Sequence, residues 1–161
     1  MSQFTFNIDV PIRNEWSNID LLLTSVKYCF SAMLSDLDSC NTMAMVTGEL
    51  VENAIKYGDW SGQDRSFRFQ VTGEGRHARV IVENPVGDPA RAMAEVAGTL
   101  DWIAGFASAE EAYRARLLEV AGSAELGSSK LGLVRIAYQA SCKLHAEVTG
   151  RVLRVVAEVA L

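Results

Sequence analysis

The stretch GELVENAIKYGDW, residues 48–60, is the most informative segment of the sequence. At 100° per residue, Glu49 and Asn53 lie one helical turn apart and Lys56 follows nearly one turn later, so the three polar side chains form a stripe. Such a stripe is usually the solvent-facing side of an amphipathic helix. Asparagine is the unusual member, because its side chain competes for backbone hydrogen bonds in a helix. A site that needs an amide oxygen facing a hard cation would explain Asn53.

The length and composition of the chain limit which kinds of protein it can be. A chain of 161 residues is long enough for one hydrophobic core, and we expect a single domain over residues 1–161. The net charge of −5 disfavours a nucleic acid or an anionic membrane as partner, since both select basic surfaces. The N-terminus lacks the pattern of a signal peptide, and no apolar run reaches the length of a bilayer span. The three widely spaced cysteines indicate buried, reduced thiols and a cytoplasmic location.

The first half of the chain has the spacing of a strand, two helices and a β-hairpin. Apolar residues alternate with polar ones in the strand segments and recur at helical spacing between them. The predicted elements are a strand over 4–10 ended by Pro11, a helix over 18–34 capped by Asn18, a helix from Asp38 or Ser39 to Gly58, and a hairpin formed by 66–73 and 77–84.

The second half begins with helical segments and ends in strands. Residues 88–125 predict two helices that are broken near Gly105, the second capped by Ser108. A Gly/Ser loop then leads into a further helix, and residues 143–161 form a second hairpin. Because the strands are joined by hairpins and the helices come in blocks, we expect an α+β fold. It would be a two-layer sandwich in which a mixed, mostly antiparallel sheet carries its helices on one face.

The segment ELVENAIKYG, residues 49–58, resembles the N-box of the GHKL (Bergerat-fold) ATPase superfamily, which includes histidine kinases, gyrase and the anti-sigma-factor serine kinases. The resemblance implies ATP and Mg²⁺ as cofactors. It also implies Glu49 as the catalytic base or water-orienting group, Asn53 as the Mg²⁺ ligand and Lys56 as a contact on the phosphate side. This chemistry is sensible, because Mg²⁺ takes hard oxygen ligands and phosphoryl transfer depends on positioning and charge neutralisation.

The adenine-binding motif of that superfamily has an altered counterpart in VENPVGD, residues 82–88. Asn84 stands where the family has the aspartate that receives the adenine amino group. The resemblance implies that the amide oxygen of Asn84 accepts the same hydrogen bond. The alternative is a strand that simply ends at an Asn-Pro turn.

The phosphate loop of the superfamily is matched by GSSKLGL, residues 127–133. Gly132 and its flanking leucines fit the family pattern, which presents backbone N–H groups and a helix N-terminus to the phosphates. Ser128 and Ser129 would donate to phosphate oxygens, and Lys130 would supply positive charge. These residues could equally cap a helix on a surface loop.

The altered motifs themselves resemble one subgroup, the SiaB-like protein kinases and related small GHKL proteins of bacterial partner-switching systems. The resemblance rests on VENPVGDPARAM (82–93), AEEAYRARLLEV (109–120) and KLGLVRIAYQAS (130–141). It implies a small regulatory partner protein of the anti-anti-sigma or SiaC-like type, phosphorylated on Ser or Thr. It also allows a homodimer.

Three functions stay open at this point. The first is an ATP-dependent serine/threonine kinase or anti-sigma-type regulator in which segment 88–127 forms a lid. The second is a nucleotide-free module of the same fold that sequesters a partner through its sheet edge or lid helices, and the third is an unrelated α+β domain. The presence of Glu49, Asn53 and Lys56 together favours the first function, whereas the altered loops favour the second. The helix over 108–121 would be a solvated lid helix or a partner-docking surface.

Overall fold

A computed structural model describes residues 5–33, 36–62, 65–122 and 131–161. Within these ranges the chain forms five strands and five helices. The elements are β1 (Thr5–Arg13), α1 (Ser17–Met33), α2 (Leu37–Tyr57), β2 (Ser66–Glu74), β3 (His77–Pro85), α3 (Pro89–Ala104), α4 (Ala109–Gly122), α5 (Gly132–Gln139), β4 (Lys143–Thr149) and β5 (Val152–Ala160).

The five strands form one sheet in the order β1-β2-β3-β5-β4. The α+β two-layer prediction is confirmed, but the sheet expected to be mixed contains only antiparallel pairs in the described residues. Both predicted hairpins, β2–β3 and β4–β5, are present. Gly75 and Gly150 stand at their turns with φ of 61° and 60°, a left-handed conformation that glycine adopts without steric cost.

The helices cover one face of the sheet, and α2 lies at the centre of that layer. Along β2, Phe67, Phe69 and Val71 are at most 1% exposed, whereas Arg68, on the opposite face, is exposed. This alternation is the strand period of two residues with one buried face. α2 contacts β2, β3 and β5 as well as α1 and α5, so its side chains reach both the core and the neighbouring helices.

The first strand is longer than predicted. β1 continues past Pro11 to Arg13, where the sequence had indicated an end at the proline. β1 is an edge strand that pairs only with β2. A proline is tolerated there because its missing N–H does not interrupt a second ladder.

Two predicted helix caps are also wrong. α1 begins at Ser17, and Asn18 instead uses its side-chain amide to donate to the Arg13 carbonyl at 2.8 Å. α2 begins at Leu37 and is capped by Asp36, whose carboxylate accepts from the backbone N–H groups of the two residues predicted as caps, Asp38 and Ser39. Several residues near a helix start have capping side chains, and the backbone path selects among them.

The remaining boundaries agree better with the sequence. The break between α3 and α4 lies at Gly105, and the Ser108 hydroxyl accepts a hydrogen bond from the backbone N–H of Glu111 at 3.2 Å, as an N-cap does.

The three cysteines are free thiols, of which Cys29 is only half-buried. None of the described helices is long and apolar enough to cross a bilayer.

Candidate functional site

The start of α5 lies directly against Glu49 and Asn53 of α2. A Cβ atom placed on Gly132 would be 2.5 Å from Glu49 Oε2 and 3.6 Å from Asn53 Nδ2. The first distance is shorter than any real contact of a Cβ atom, so only glycine fits without a shift of the carboxylate or of α5. Two predicted motifs that are far apart in the sequence, the N-box and the end of the phosphate loop, therefore meet in space.

The amphipathic pattern of both helices positions this junction. Leu50 and Val51 of α2 are buried on the core side, at 2% and 1% exposure, which leaves Glu49 and Asn53 on the flank that faces α5. On α5, Val134 and Ile136 are fully buried and hold the helix against the core. The polar side chains thus stand between two well-anchored helices rather than on a free surface.

Glu49 is partly desolvated and paired with a cation. Arg135 Nη1 lies 3.0 Å from Glu49 Oε1, and the Glu49 side chain is 18% exposed. Burial raises the pKa of the Glu49 carboxyl, Arg135 opposes that rise, and the nearby charge of Glu52 adds to it. The net direction is upward, so Glu49 binds a proton more readily than an exposed glutamate.

Arg135 is a site residue that the sequence reading missed. Its guanidinium bridges Glu49 and Gln139, the latter through Nε at 2.9 Å from Oε1. One signal was available, because Arg135 follows Gly132 by about one helical turn. The sequence contains many arginines, however, and only the packing of α5 against α2 identifies the one that reaches Glu49.

Lys56, the third residue of the predicted polar stripe, does not take part in the Glu49–Arg135 contact. The Lys56 side chain is exposed, and its Nζ atom lies 5.6 Å from the ring centroid of Tyr57. That position is open to solvent at the outward side of α2. Whether it contacts a phosphate stays a prediction.

Asn84 lies in the core at the end of β3. It is 3% exposed, and its amide nitrogen donates to the Pro85 carbonyl at 3.2 Å. The backbone N–H of Asp59 donates to the same carbonyl at 2.8 Å, which brings the end of β3 beside the end of α2. Asn84 therefore stands at the same end of the molecule as Asn53, but no hydrogen bond between these described residues connects them. Ser128, Ser129 and Lys130 lie outside the described residues.

A second polar contact, also missed by the sequence reading, fixes the segment that leads into α3. Arg151 Nη2 lies 3.2 Å from Asp59 Oδ2 and donates to the Gly87 carbonyl at the same distance. The Arg151 carbonyl accepts from the backbone N–H of Val86 at 2.9 Å. Hydrogen bonds from Ser61, reinforced by Arg151, lower the pKa of Asp59 and keep it charged. This contact joins the ends of α2, β3 and the β4–β5 turn.

The donor set limits which cation the site could hold. The described ranges contain no group of three or more His, Cys, Asp or Glu side chains arranged around a metal position. Glu49 and Asn53 could supply two hard oxygen ligands, a carboxylate and an amide group. That number fits Mg²⁺ shared with the phosphates of a nucleotide, because Mg²⁺ is commonly held by one or two protein oxygens plus phosphates and water.

Comparison with known proteins supports the fold. Neither a protein-family model nor a curated protein sequence matches the chain. Among solved structures, a chain in the crystal structure of the SiaB–SiaC complex from Pseudomonas aeruginosa matches with a TM-score of 0.68. The alignment covers 96% of this chain and 89% of that chain at 14% sequence identity. At this identity the likeness concerns the fold, which the two chains share over almost their whole length.

Proposed function

We propose that this protein is a GHKL-type signalling regulator that acts by partner switching. It binds Mg-ATP at the junction of α2 and α5 and phosphorylates a serine or threonine of a small partner protein, of the SiaC-like or anti-anti-sigma type. The observation that carries the proposal is the close approach of Gly132 to Glu49 and Asn53. The shared fold with a chain of the SiaB–SiaC complex is consistent with it.

Each residue of the junction has a role in this proposal. The glycine lets the backbone at the start of α5 approach phosphate oxygens, which N–H groups at a helix N-terminus attract. Asn53 holds Mg²⁺ through its amide oxygen, and the bound cation would neutralise phosphate charge. Glu49 orients the partner's hydroxyl group and accepts its proton, a task suited to a carboxylate whose pKa is raised by burial.

A nucleotide-free binding module is the second candidate, and two contacts favour it. The Glu49 carboxylate already has a partner in Arg135. Asn84 is buried and donates to the neighbouring Pro85 carbonyl. In this alternative the polar junction is structural, and the protein sequesters its partner without chemistry.

The two candidates are separated by calorimetric titration of Mg-ATP and Mg-ADP into the purified protein. The variants are Asn53→Ala and Gly132→Ala, with Asn41→Ala as a matched control because Asn41 is an exposed asparagine on the same helix. We expect binding that requires Mg²⁺, is lost in Asn53→Ala and Gly132→Ala, and persists in Asn41→Ala. Circular dichroism of each variant verifies that the fold is intact.

Two outcomes contradict nucleotide binding at this junction. One is the absence of binding at millimolar nucleotide from a folded wild-type sample, which leaves the nucleotide-free module. The other is binding that Asn53→Ala does not change, which would place the nucleotide elsewhere. If binding is as expected, phosphate transfer to a small anti-anti-sigma-type protein is then followed by the mass of the intact partner.

A further inference from the structure

Two features that attract anions contact the Glu49 carboxylate. Its Oε2 atom lies against the start of α5, where a Cβ atom on Gly132 would be 2.5 Å away. Its Oε1 atom accepts a hydrogen bond from Arg135 Nη1 at 3.0 Å. A helix N-terminus and a guanidinium both favour negative charge. The carboxylate therefore occupies a position that suits an anion in general.

The first turn of α5 adds backbone donors to this position. The backbone N–H of Arg135 donates to the Leu131 carbonyl at 2.8 Å, which begins the hydrogen-bond ladder of the helix. The three N–H groups of residues 132–134 have no carbonyl within α5 to accept from them. Leu131, the N-cap residue, has no side chain that could cap them. An anion at this helix start would meet backbone donors as well as the Arg135 side chain.

Arg135 has donors to spare for a further ligand. Its Nη1 atom bonds Glu49, and its Nε atom bonds Gln139 at 2.9 Å. A guanidinium carries five N–H donors, and within the described part of the chain Nη2 makes no hydrogen bond. The side chain is 44% exposed, so it can turn toward a ligand without disturbing the core.

A purely structural role explains the Glu49–Arg135 ion pair less well. Val134 and Ile136 are both 0% exposed and already hold α5 against the core. An ion pair with one half-exposed partner is screened by water and contributes little to stability. Loss of the pair would leave α5 in place, so Arg135 can change partners.

The contact with Glu49 indicates which phosphate Arg135 would reach. The proposed function places Glu49 beside the hydroxyl group that attacks the terminal phosphate of ATP. A guanidinium 3.0 Å from Glu49 is therefore close to that phosphate rather than to the inner ones. ADP has no phosphate at this position.

A terminal phosphate competes well with Glu49 for the guanidinium. Such a phosphate carries about −1.5 to −2 charges at pH 7, whereas a carboxylate carries a single one. The planar fork of arginine also matches two phosphate oxygens at once. Burial raises the pKa of Glu49, and Arg135 opposes that rise. When Arg135 turns to a phosphate, burial and the charge of Glu52 act without that opposition, and Glu49 becomes a stronger base.

We propose that Arg135 contacts the terminal phosphate of Mg-ATP and thereby determines the preference of the site for ATP over ADP. To do so, Arg135 exchanges its contact with Glu49 for one with the phosphate. This inference rests on the proposed function, because it needs a nucleotide at the junction of α2 and α5. It makes Arg135 a specificity-determining residue, and it makes the Glu49–Arg135 pair the arrangement that precedes contact with the phosphate.

The test is calorimetric titration of Mg-ATP and of Mg-ADP into the wild-type protein, Arg135→Gln and Arg135→Lys. We expect the wild type to bind ATP about tenfold or more tightly than ADP, as one charged hydrogen-bonded contact allows. Arg135→Gln should abolish this preference by weakening ATP binding alone. Arg135→Lys should restore only part of it, because lysine keeps the charge but loses the planar fork.

Arg79→Gln is the matched control. Arg79 also pairs with a glutamate, Glu158 at 2.6 Å, and its side chain is 53% exposed, but it lies on the open face of the sheet. This variant removes the same charge and should leave both affinities unchanged. Circular dichroism verifies that each variant is folded.

The possible failures of the two proposals differ in this experiment. A structural role of Arg135 would weaken ATP and ADP binding by the same factor. That result, or an unchanged preference for ATP in Arg135→Gln, overturns the inference and leaves nucleotide binding at the junction intact. Absence of binding of either nucleotide to the wild type overturns the proposed kinase function, and this inference with it.

Glu49→Gln tests the exchange of partners. The neutral amide holds the guanidinium less strongly, so less is given up when Arg135 turns to the phosphate. The preference for ATP over ADP should therefore rise about threefold or more. An unchanged or smaller preference would show that Arg135 does not leave Glu49 for the phosphate.

Discussion

The two halves of the helical layer are packed differently on the same sheet. α2 buries nine of its 21 residues, whereas α3 buries none of its 16 and α4 buries only Ala112 of its 14. α1 and α2 contact each other extensively, while α3 touches β4 and β5 and α4 touches α5. Most of the apolar burial in the helical layer is therefore on the α1–α2 side.

Composition alone does not explain this difference. α3 contains apolar residues at helical spacing, among them Met93, Val96 and Leu100, but all of these are only half-buried. The α3–α4 side is held instead by a few specific contacts. Trp102 packs edge-on against Phe106 with ring centroids 4.6 Å apart, and Tyr113 stacks on Tyr138. Elements with little buried apolar area open at low free-energy cost, which suits the lid predicted over 88–127.

The largest expected effect comes from matched leucine truncations in the two halves. Leu50→Ala on α2 removes a side chain that is 2% exposed and should lower the free energy of unfolding by about 2–5 kcal/mol. Leu100→Ala on α3 removes a half-buried side chain and should cost about 1 kcal/mol, since less area leaves water. Urea denaturation of both variants measures the two values. Equal losses would show that α3 is as firmly packed as α2.

Arg116 provides an intermediate effect that is confined to the α3–α4 side. Its guanidinium lies 3.9 Å from the Trp102 ring centroid and pairs with Glu119 at 2.8 Å, and the side chain is 11% exposed. Arg116→Ala should cost about 1–2 kcal/mol through the lost cation–π contact and packing. Hydrogen exchange should rise in α3 and α4 and stay unchanged in α2.

Arg116→Lys is the control for that contact, because lysine keeps the charge but loses the planar stacking surface. Arg116→Lys should restore only part of the hydrogen-exchange protection of α3 and α4 that Arg116→Ala loses. Faster exchange throughout the chain in Arg116→Ala would contradict a locally confined role. Tyr113 and Arg116 lie in the helix over 108–121 that was predicted to be a solvated lid helix or a docking surface, and both side chains pack within the helical layer. Docking of a partner on this helix stays a prediction.

The smallest expected effect lies on the open face of the sheet and depends on pH. Hydrogen bonds from Arg68 and then Gln70 lower the pKa of Asp9 from 3.8 to about 2. A carboxyl whose pKa is depressed by folding contributes stability above its unfolded pKa, and that contribution disappears as the pH falls from about 4 to about 2. Asp9→Asn should therefore lower the melting temperature at pH 7 and have little effect near pH 2.

Glu74→Gln is the control for the pH series. Glu74 is exposed on the same sheet and has no ion-pair partner among the residues that the structure describes. Its melting temperature should follow the wild type at every pH. If the melting temperatures of Asp9→Asn and the wild type differed by the same amount at every pH down to 2, titration of the Asp9 carboxylate would not be the cause.

Much of the fold was predictable because its signals are local. Alternation of Phe67, Phe69 and Val71 identified a half-buried strand, and the glycines between the strands indicated the hairpins. The errors fell where local signals compete. Pro11 predicted a strand end, but whether a proline interrupts a strand depends on its place at the sheet edge, which the neighbouring residues do not encode.

The candidate site also contains residues that local patterns predicted and one that they did not. The stripe of Glu49, Asn53 and Lys56 followed from the helical period, and the glycine at position 132 from its likeness to a phosphate loop. Arg135, which pairs with Glu49, could not be identified from its local spacing to Gly132 alone, because that spacing does not show which side chain it contacts. The contact requires α5 to pack against α2 at a particular position along the α2 axis. Core packing around Val134 and Ile136 sets that position.

The sequence by itself determined the elements, their order and the α+β class, because the periods of apolar residues and the turn glycines act within a few residues of one another. Only the tertiary structure decided the sheet order, the Gly132–Glu49 approach and the loose packing of α3. It also decided which faces of α1 are covered. These features depend on which surfaces meet after the chain folds, and apolar side chains at helical spacing are compatible with a buried face, a half-buried one or an interface with another copy.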